Sequence, residues 1–301
     1  MKNALSLLAL SVMTAIGATS PVTTQTQRAP QASDVKTRDL YVGVVDGKGM
    51  VATGLGAADF RVREDGVARE VLRAGPAEAP LDVVLLVDDS QAAENAIPQL
   101  RDGLNQFVDR LSGKAAIGIV TIGERPTSVV ERTTDVTAVK KGVSRIFARP
   151  GSGAYLLDAI IDVSRGLQKR EAKRPPVIVA LTVEGIEFSN AQYERVLNDL
   201  HASGATLHVL SIGTPRAINS DELRNKSIVV ARGTEETGGR RDQLLSEMAI
   251  PATLKSLAGE LLNQYVVTYG RPDALVPPEK VQVSVTRPGL TVRAPTRLPQ
   301  K

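Results

Sequence analysis

Residues 81–90 read LDVVLLVDDS, an apolar run interrupted by Asp82 that ends in two aspartates and a serine. A strand with no polar face must be buried on both sides, as a central strand of a helix-covered parallel sheet is. Carboxylate and hydroxyl groups that follow such a strand lie at the carboxyl edge of the sheet, where open α/β proteins bind their ligands. This stretch therefore predicts an α/β fold with a candidate site at the strand end.

The chain beyond residue 90 continues as apolar strands alternating with segments of helical periodicity. Further strands are predicted at Ala115–Ile122, Val177–Thr182 and Thr206–Ile212, with a short charged edge strand at Ser128–Arg132. The predicted helices are Glu94–Leu111, Val136–Phe147, Tyr155–Gln168, Ala191–Ala202 and Ala249–Asn263. This alternation predicts a doubly wound, mostly parallel sheet. Residues 219–248 give no clear pattern.

Both ends of the chain have short alternating strands separated by turns rich in Gly, Asp or Pro. They are Asp39–Val45, Phe60–Glu64 and Val67–Leu72 before the α/β region, and Gln264–Tyr269, Lys280–Thr286 and Leu290–Arg293 after it. Neither set has enough residues for a stable sheet of its own. We therefore expect residues 35–79 and 264–297 to form one small β accessory domain, with the α/β domain of residues 80–263 inserted into it.

The N-terminus has the layout of a secretory signal peptide: Lys2, an apolar stretch over residues 4–16, and then small residues. We predict a signal peptide at residues 1–20 and a polar linker at 21–34; a buried amphipathic helix is the alternative. The apolar stretch is too short to span a bilayer comfortably, and no later segment is apolar for longer. We therefore expect an exported protein, periplasmic or extracellular, without an integral membrane segment after signal removal.

Composition excludes several classes of function. The 301 residues contain no cysteine and two histidines, which excludes disulfides, thiolate catalysis, Cys-ligated zinc and three-histidine metal sites. A net charge of +4 spread along the chain and 3% aromatic residues argue against a nucleic-acid groove. The signatures G-x-S-x-G, G-x-x-x-x-G-K-[ST] and H-E-x-x-H are also absent, so we expect no enzymatic activity.

The order of an apolar strand, Asp-x-Ser, a long helix, a glycine-rich loop and an apolar strand with an acidic-Gly loop resembles the von Willebrand factor A domain. Val51–Glu70 and Gln264–Pro272 are similar to the flanking segments of the "VWFA-related" proteins that bacteria secrete, so the resemblance covers roughly residues 35 to 294. It implies a metal-ion-dependent adhesion site at the strand ends. There, hydroxyls and carboxylates would hold Mg²⁺, and an acidic group of the partner would complete its coordination.

This sequence departs from that site at several positions. Asp88 and Ser90 match the first aspartate and first serine of the family's Asp-x-Ser-x-Ser, but Ala92 stands at the second serine. The resemblance therefore implies a degenerate metal site, of which Asp88 and Ser90 remain. The alternative is that these two residues cap the first helix.

Two further ligand positions are changed. The family threonine falls at Ala154, with Ser152 close by, and the final aspartate falls at Val183 or, after a one-residue slip, at Glu184. Because hard-cation affinity depends on ligand number and charge, Mg²⁺ or Ca²⁺ would bind weakly here. We expect no resident cofactor.

Three functions remain open. The favoured one is a secreted, adhesion-type binding module that presents its strand-end loops to a protein or cell-envelope ligand. Its candidate partner-binding residues are Asp88, Asp89, Ser90, Ser152 and Glu184. A metal-assisted hydrolase would instead need the Asp88, Asp89 and Glu184 carboxylates within metal-bridging distance beside a deep pocket. A structural envelope component would assemble through an exposed edge strand such as Ser128–Arg132.

Overall fold

The computed structural model describes residues 35–170, 174–215, 217–272 and 276–299, so the predicted signal peptide and linker lie outside the described residues. The described residues form one compact unit. Its strands are β1 (Val35–Asp46), β2 (Phe60–Glu64), β3 (Val67–Arg69), β4 (Val71–Pro76), β5 (Leu81–Val87), β6 (Ala115–Thr121), β7 (Thr127–Thr133), β8 (Pro176–Val183), β9 (Thr206–Ile212), β10 (Arg241–Leu244), β11 (Tyr265–Pro272), β12 (Val281–Val285) and β13 (Leu290–Arg293). Its helices are α1 (Ile97–Arg110), α2 (Val136–Val143), α3 (Leu156–Gln168), α4 (Tyr193–Ser203), α5 (Asp221–Ile228), α6 (Thr234–Thr237) and α7 (Ile250–Leu262).

The predicted doubly wound sheet is confirmed. Six strands lie in the order β10-β9-β8-β5-β6-β7, all parallel except β7, which pairs antiparallel with β6 at the edge. Every residue of β5 is buried, because α1, α2 and α7 pack on one face of the sheet and α3 and α4 pack on the other. The carboxyl ends of β5 and β8 are neighbours at the point where the strand order reverses.

Strands from the two flanks pair with each other. β1 runs antiparallel to β11, from Val35 opposite Pro272 to Val42 opposite Tyr265, and its last four residues pair with β13. β4 extends this sheet beyond β11, and β12, β2 and β3 form a second small sheet. A separate apolar core that includes Phe60 and Tyr269 lies between them. That these strands make up a domain of their own stays a prediction.

Several element boundaries differ from the sequence-based predictions. The predicted strand Val67–Leu72 is two strands, because β3 pairs with β2 while β4 pairs with β11. The helix predicted from Glu94 begins at Ile97, with Pro98 in its first turn, after a 3-10 segment at Gln91–Ala96.

The helix predicted at Val136–Phe147 also ends early. α2 starts where Asp135 accepts the amides of Thr137 and Ala138, and it ends at Val143. Beyond it Ile146 turns into the core while Phe147 is exposed.

Residues 219–248 form α5, a π-helical turn at Val229–Gly233, α6 and the edge strand β10. Within α5 the buried residues are Asn225 and Lys226. The helix therefore lacks an apolar stripe. Such a stripe is the sequence signal from which a surface helix is predicted.

Candidate functional site

Three loops meet at the carboxyl edge of the central sheet. The loop after β5 is tied to the loop before α3 because the carbonyl of Asp89 accepts the Arg149 amide at 2.8 Å. The loop after β8 joins them through reciprocal backbone bonds: Ala154 N–H donates to Ile186 at 2.9 Å, and Phe188 N–H donates to Ala154 at 2.8 Å. We call these three segments, 88–95, 149–155 and 183–190, the strand-end loops.

Asp88 is fully buried beneath these loops, with both carboxylate oxygens engaged. Oδ1 accepts the Ser90 amide at 2.9 Å. Oδ2 accepts the Val183 amide at 2.9 Å and the Thr182 hydroxyl at 3.4 Å. The carboxylate therefore fastens the end of β5 to the end of β8.

Asp89 is also buried and fixes the other side of the site. Its Oδ1 accepts the Gly123 amide at 2.6 Å, and its Oδ2 accepts Nε of Arg149 at 2.8 Å. This hydrogen bond raises the pKa of the Arg149 guanidinium above its usual value. A Cβ at Gly123 would lie 2.7 Å from the Ser90 amide nitrogen, so this contact requires glycine.

The remaining sequence-predicted residues are placed as follows. Ser90 is buried at the start of the 3-10 segment, and its hydroxyl makes no capping hydrogen bond. The Ser152 hydroxyl donates to the Arg149 carbonyl at 2.8 Å, and the half-buried Glu184 is tied through its amide to Ile212 at the end of β9. The structure thus brings all five candidates to one edge, and three of them, Asp88, Asp89 and Ser90, lie beneath its surface.

The oxygen atoms at this edge do not form a ligand set that fits a hard divalent cation. Mg²⁺ needs near-octahedral oxygen ligation, whereas both oxygens of Asp88 accept backbone amides and Val183 presents an apolar side chain. Ala92 packs against the loop after β8, where a Cβ at Gly185 would lie 2.8 Å from the Ala92 methyl. Across the described ranges, no group of three or more His, Cys, Asp or Glu residues is arranged to hold a metal ion.

Sequence reasoning missed two charged residues at this edge. Glu187 and Lys226 are 3% and 7% exposed. Oε1 of Glu187 accepts the Ser189 amide at 3.3 Å, while its Oε2 makes no hydrogen bond and lies 4.0 Å from Nζ of Lys226. Burial raises the pKa of the Glu187 carboxyl, although Lys226 and Ser189 oppose this effect. The position of Glu187 could have been noticed in the sequence, since an acidic residue shortly after a buried strand is a candidate for a site at the carboxyl edge of the sheet.

Several large apolar side chains are exposed along this edge. Among the described residues, most of the exposed large hydrophobic side chains lie in loops here, and we call them the apolar rim: Phe147, Ile186, Phe188, Ile218, Leu245 and Met248. A cleft of about 530 Å³ opens between Ile186, Phe188 and Leu223. Tyr155 supports Phe188 with a ring-centroid distance of 5.8 Å.

Residues 82–231 match the family model of the von Willebrand factor type A domain. Among solved structures, the chain is similar to a von Willebrand factor type A protein from Catenulispora acidiphila (11% identity, TM-score 0.52, covering 88% of this chain and 75% of that one). It is also similar to proximal thread matrix protein 1 from the mussel byssus (16% identity, TM-score 0.50, covering 62% of this chain and 49% of that one), so it spans about half the length of the mussel protein. No curated protein matches the chain. No helix within the described ranges combines the length and the apolarity needed to cross a membrane.

Proposed function

Because residues 82–231 form a von Willebrand factor type A domain, a fold that often mediates protein interaction or adhesion, we propose that this protein is an adhesion-type binding module. It presents the strand-end loops and the apolar rim to a protein or surface ligand, and it does so without a bound divalent metal. We further propose that the chain is exported, since its first twenty residues have the layout of a signal peptide.

The apolar rim is the observation that carries this proposal. Ile186 is 59% exposed and Leu245 is 76% exposed, yet both stand on loops anchored to a rigid sheet. Clustered exposed apolar side chains are characteristic of protein interaction sites, because their burial in a complex is favourable. The carboxylates of Asp88 and Asp89 lie beneath them and shape the loops.

The same geometry supports a non-enzymatic role. A metal-assisted hydrolase needs carboxylates that are free to ligate a metal or to accept a proton from water. Here the carboxylate oxygens of Asp88 accept backbone amides, and those of Asp89 accept the Gly123 amide and Arg149. Glu184, which follows β8, donates its backbone amide to the carbonyl of Ile212 at the end of β9.

The test is affinity capture from an envelope extract of the producing cells, with Mg²⁺ and with a chelator. Ile186→Asp combined with Leu245→Asp should remove the captured partner, because it places charge on the apolar rim. The control combines Met50→Asp with Val276→Asp, which are 66% and 83% exposed and lie outside the rim, and it should capture as the wild type does. Equal capture by the rim variant, or loss of capture with the chelator alone, would contradict the proposal.

A further inference from the structure

Two buried carboxylates share one buried ammonium under the strand-end loops. Asp88 is fully buried, Glu187 is 3% exposed, and Lys226, on α5, is 7% exposed. An ionised carboxylate in such a place is costly unless a positive charge or hydrogen bonds compensate it. Backbone amides supply part of this compensation, those of Ser90 and Val183 for Asp88 and those of Ser189 and Leu157 for Glu187. The Oε2 atom of Glu187 lies 4.0 Å from the Lys226 ammonium.

The Lys226 ammonium is linked to Asp88 through the hydroxyl of Thr182 and to Glu187 by an ion pair. Its Nζ donates to the hydroxyl of Thr182 at 3.1 Å, and that hydroxyl donates in turn to Oδ2 of Asp88 at 3.4 Å. The same Nζ lies 4.0 Å from Oε2 of Glu187. The hydroxyl of Thr182 is thus polarised by the ammonium on one side and directed at Asp88 on the other.

Within the described part of the chain, Lys226 is the cation that forms an ion pair with Glu187. Arg149, another cation at this edge, pairs instead with Asp89 and Glu124 at 2.8 and 3.1 Å. Arg149 therefore compensates Asp89, and Lys226 is the cation on the side of Glu187 and Thr182.

We propose that Lys226 is the resident cation of the strand-end loops, and that its ammonium supplies the positive charge that a divalent metal would supply in a complete adhesion site. The inference rests on the metal-free binding face proposed above. Because the charge is covalently part of the chain, the loops keep their shape at any metal concentration, and metal supply cannot switch the binding face on or off.

The test measures thermal unfolding of the full-length protein. Lys226→Met removes the charge but keeps most of the stem, and we expect the midpoint to fall by about 6–12 °C, since breaking a buried ion pair is strongly destabilising. Adding Glu187→Gln to this variant should restore at least about half of the loss, because the uncompensated carboxylate is then gone. The matched control is Arg224→Met on the same helix. Because the ion pair of Arg224 with Asp221 is exposed, this substitution should lower the midpoint by less than about 2 °C.

Lys226→Arg, which keeps the charge, should unfold closer to the wild type than Lys226→Met does. If the double variant unfolds at no higher temperature than Lys226→Met alone, Lys226 acts through packing and the inference is wrong. A separate arm adds about 1 mM Mg²⁺, Ca²⁺ or Mn²⁺ to the wild type, which should leave the midpoint unchanged. A rise there would overturn the metal-free face itself, whereas a missing rescue would overturn the role of Lys226 alone.

Discussion

Replacing Asp88 by alanine should destabilise the protein far more than removing a helix cap does. The carboxylate is fully buried and accepts the amides of Ser90 and Val183, both at 2.9 Å. Alanine leaves these two amides without acceptors in a dry part of the structure. It also removes the link between the ends of β5 and β8 on which the strand-end loops rest.

The magnitude follows from the two orphaned donors. A buried polar group left unsatisfied costs about 1–3 kcal/mol, so two such groups predict a loss of about 2–6 kcal/mol in the free energy of unfolding. Loss of a helix cap, the role that the sequence offered as an alternative, would cost only about 1 kcal/mol. The difference arises because one of the two amides belongs to β8, far along the chain, rather than to the first helix.

Urea unfolding at pH 7 measures this loss, once with Mg²⁺ and once with a chelator. The matched control is Asp46→Ala, since Asp46 also accepts two backbone amides, those of Lys48 and Met50, but in an exposed turn. We expect at most about 1 kcal/mol for the control, because water replaces the lost acceptor. If the two substitutions cost the same, or if the loss for Asp88→Ala disappears without Mg²⁺, the anchoring role of Asp88 is refuted.

Three more outcomes are expected. Calorimetric titration of the wild type with Mg²⁺, Ca²⁺ and Mn²⁺ should detect no stoichiometric site with a dissociation constant below about 0.1 mM. Detection of such a site would show that binding is metal-dependent and would contradict the metal-free proposal. Deleting Gln264–Lys301 should expose Asp39–Leu72 to limited proteolysis, since β1 and β2 lose their partners, and unchanged protection would disprove a shared accessory domain. Burial lowers the pKa of His208 from 6.5 to about 3, so the imidazole is neutral in the folded protein and charged in the unfolded chain below about pH 6.5. The stability that the neutral His208 contributes is complete above pH 6.5 and is lost as the pH falls towards 3. His208→Gln should therefore reduce the difference between the free energies of unfolding measured in urea at pH 7 and at pH 4.5. An unaltered difference would contradict this role of His208.

Sequence predicted the central sheet well, because strands buried on both faces leave continuous apolar runs. Phe60–Glu64 and Leu290–Arg293 were predicted with the bounds that the structure has, since alternation and flanking turns mark short strands. The break between β3 and β4 was missed because the two strands have different partners: β3 pairs with the adjacent β2, whereas β4 pairs with β11, which comes from the other flank of the chain.

The candidate site was located by sequence but its chemistry was not. Asp88 stands out after an apolar strand, yet only the fold reveals that its oxygens accept amides from two separate elements. Lys226 was missed because a lysine in a helix without an apolar stripe looks like a solvated residue. Its partner Glu187 comes from a different loop, and no spacing rule links the two positions.

The pairing of β1 with β11 also dictates when this protein can finish folding. Asp39 and Thr268, which are hydrogen-bonded across these strands, are 229 positions apart. During synthesis β1 emerges well before its neighbours β11 and β13. We expect β1 to wait, unpaired and prone to mispairing, until these two strands are present. Under the export proposed above, this delay is an advantage, because β1 cannot complete its pairing before β11 and β13 have crossed the membrane.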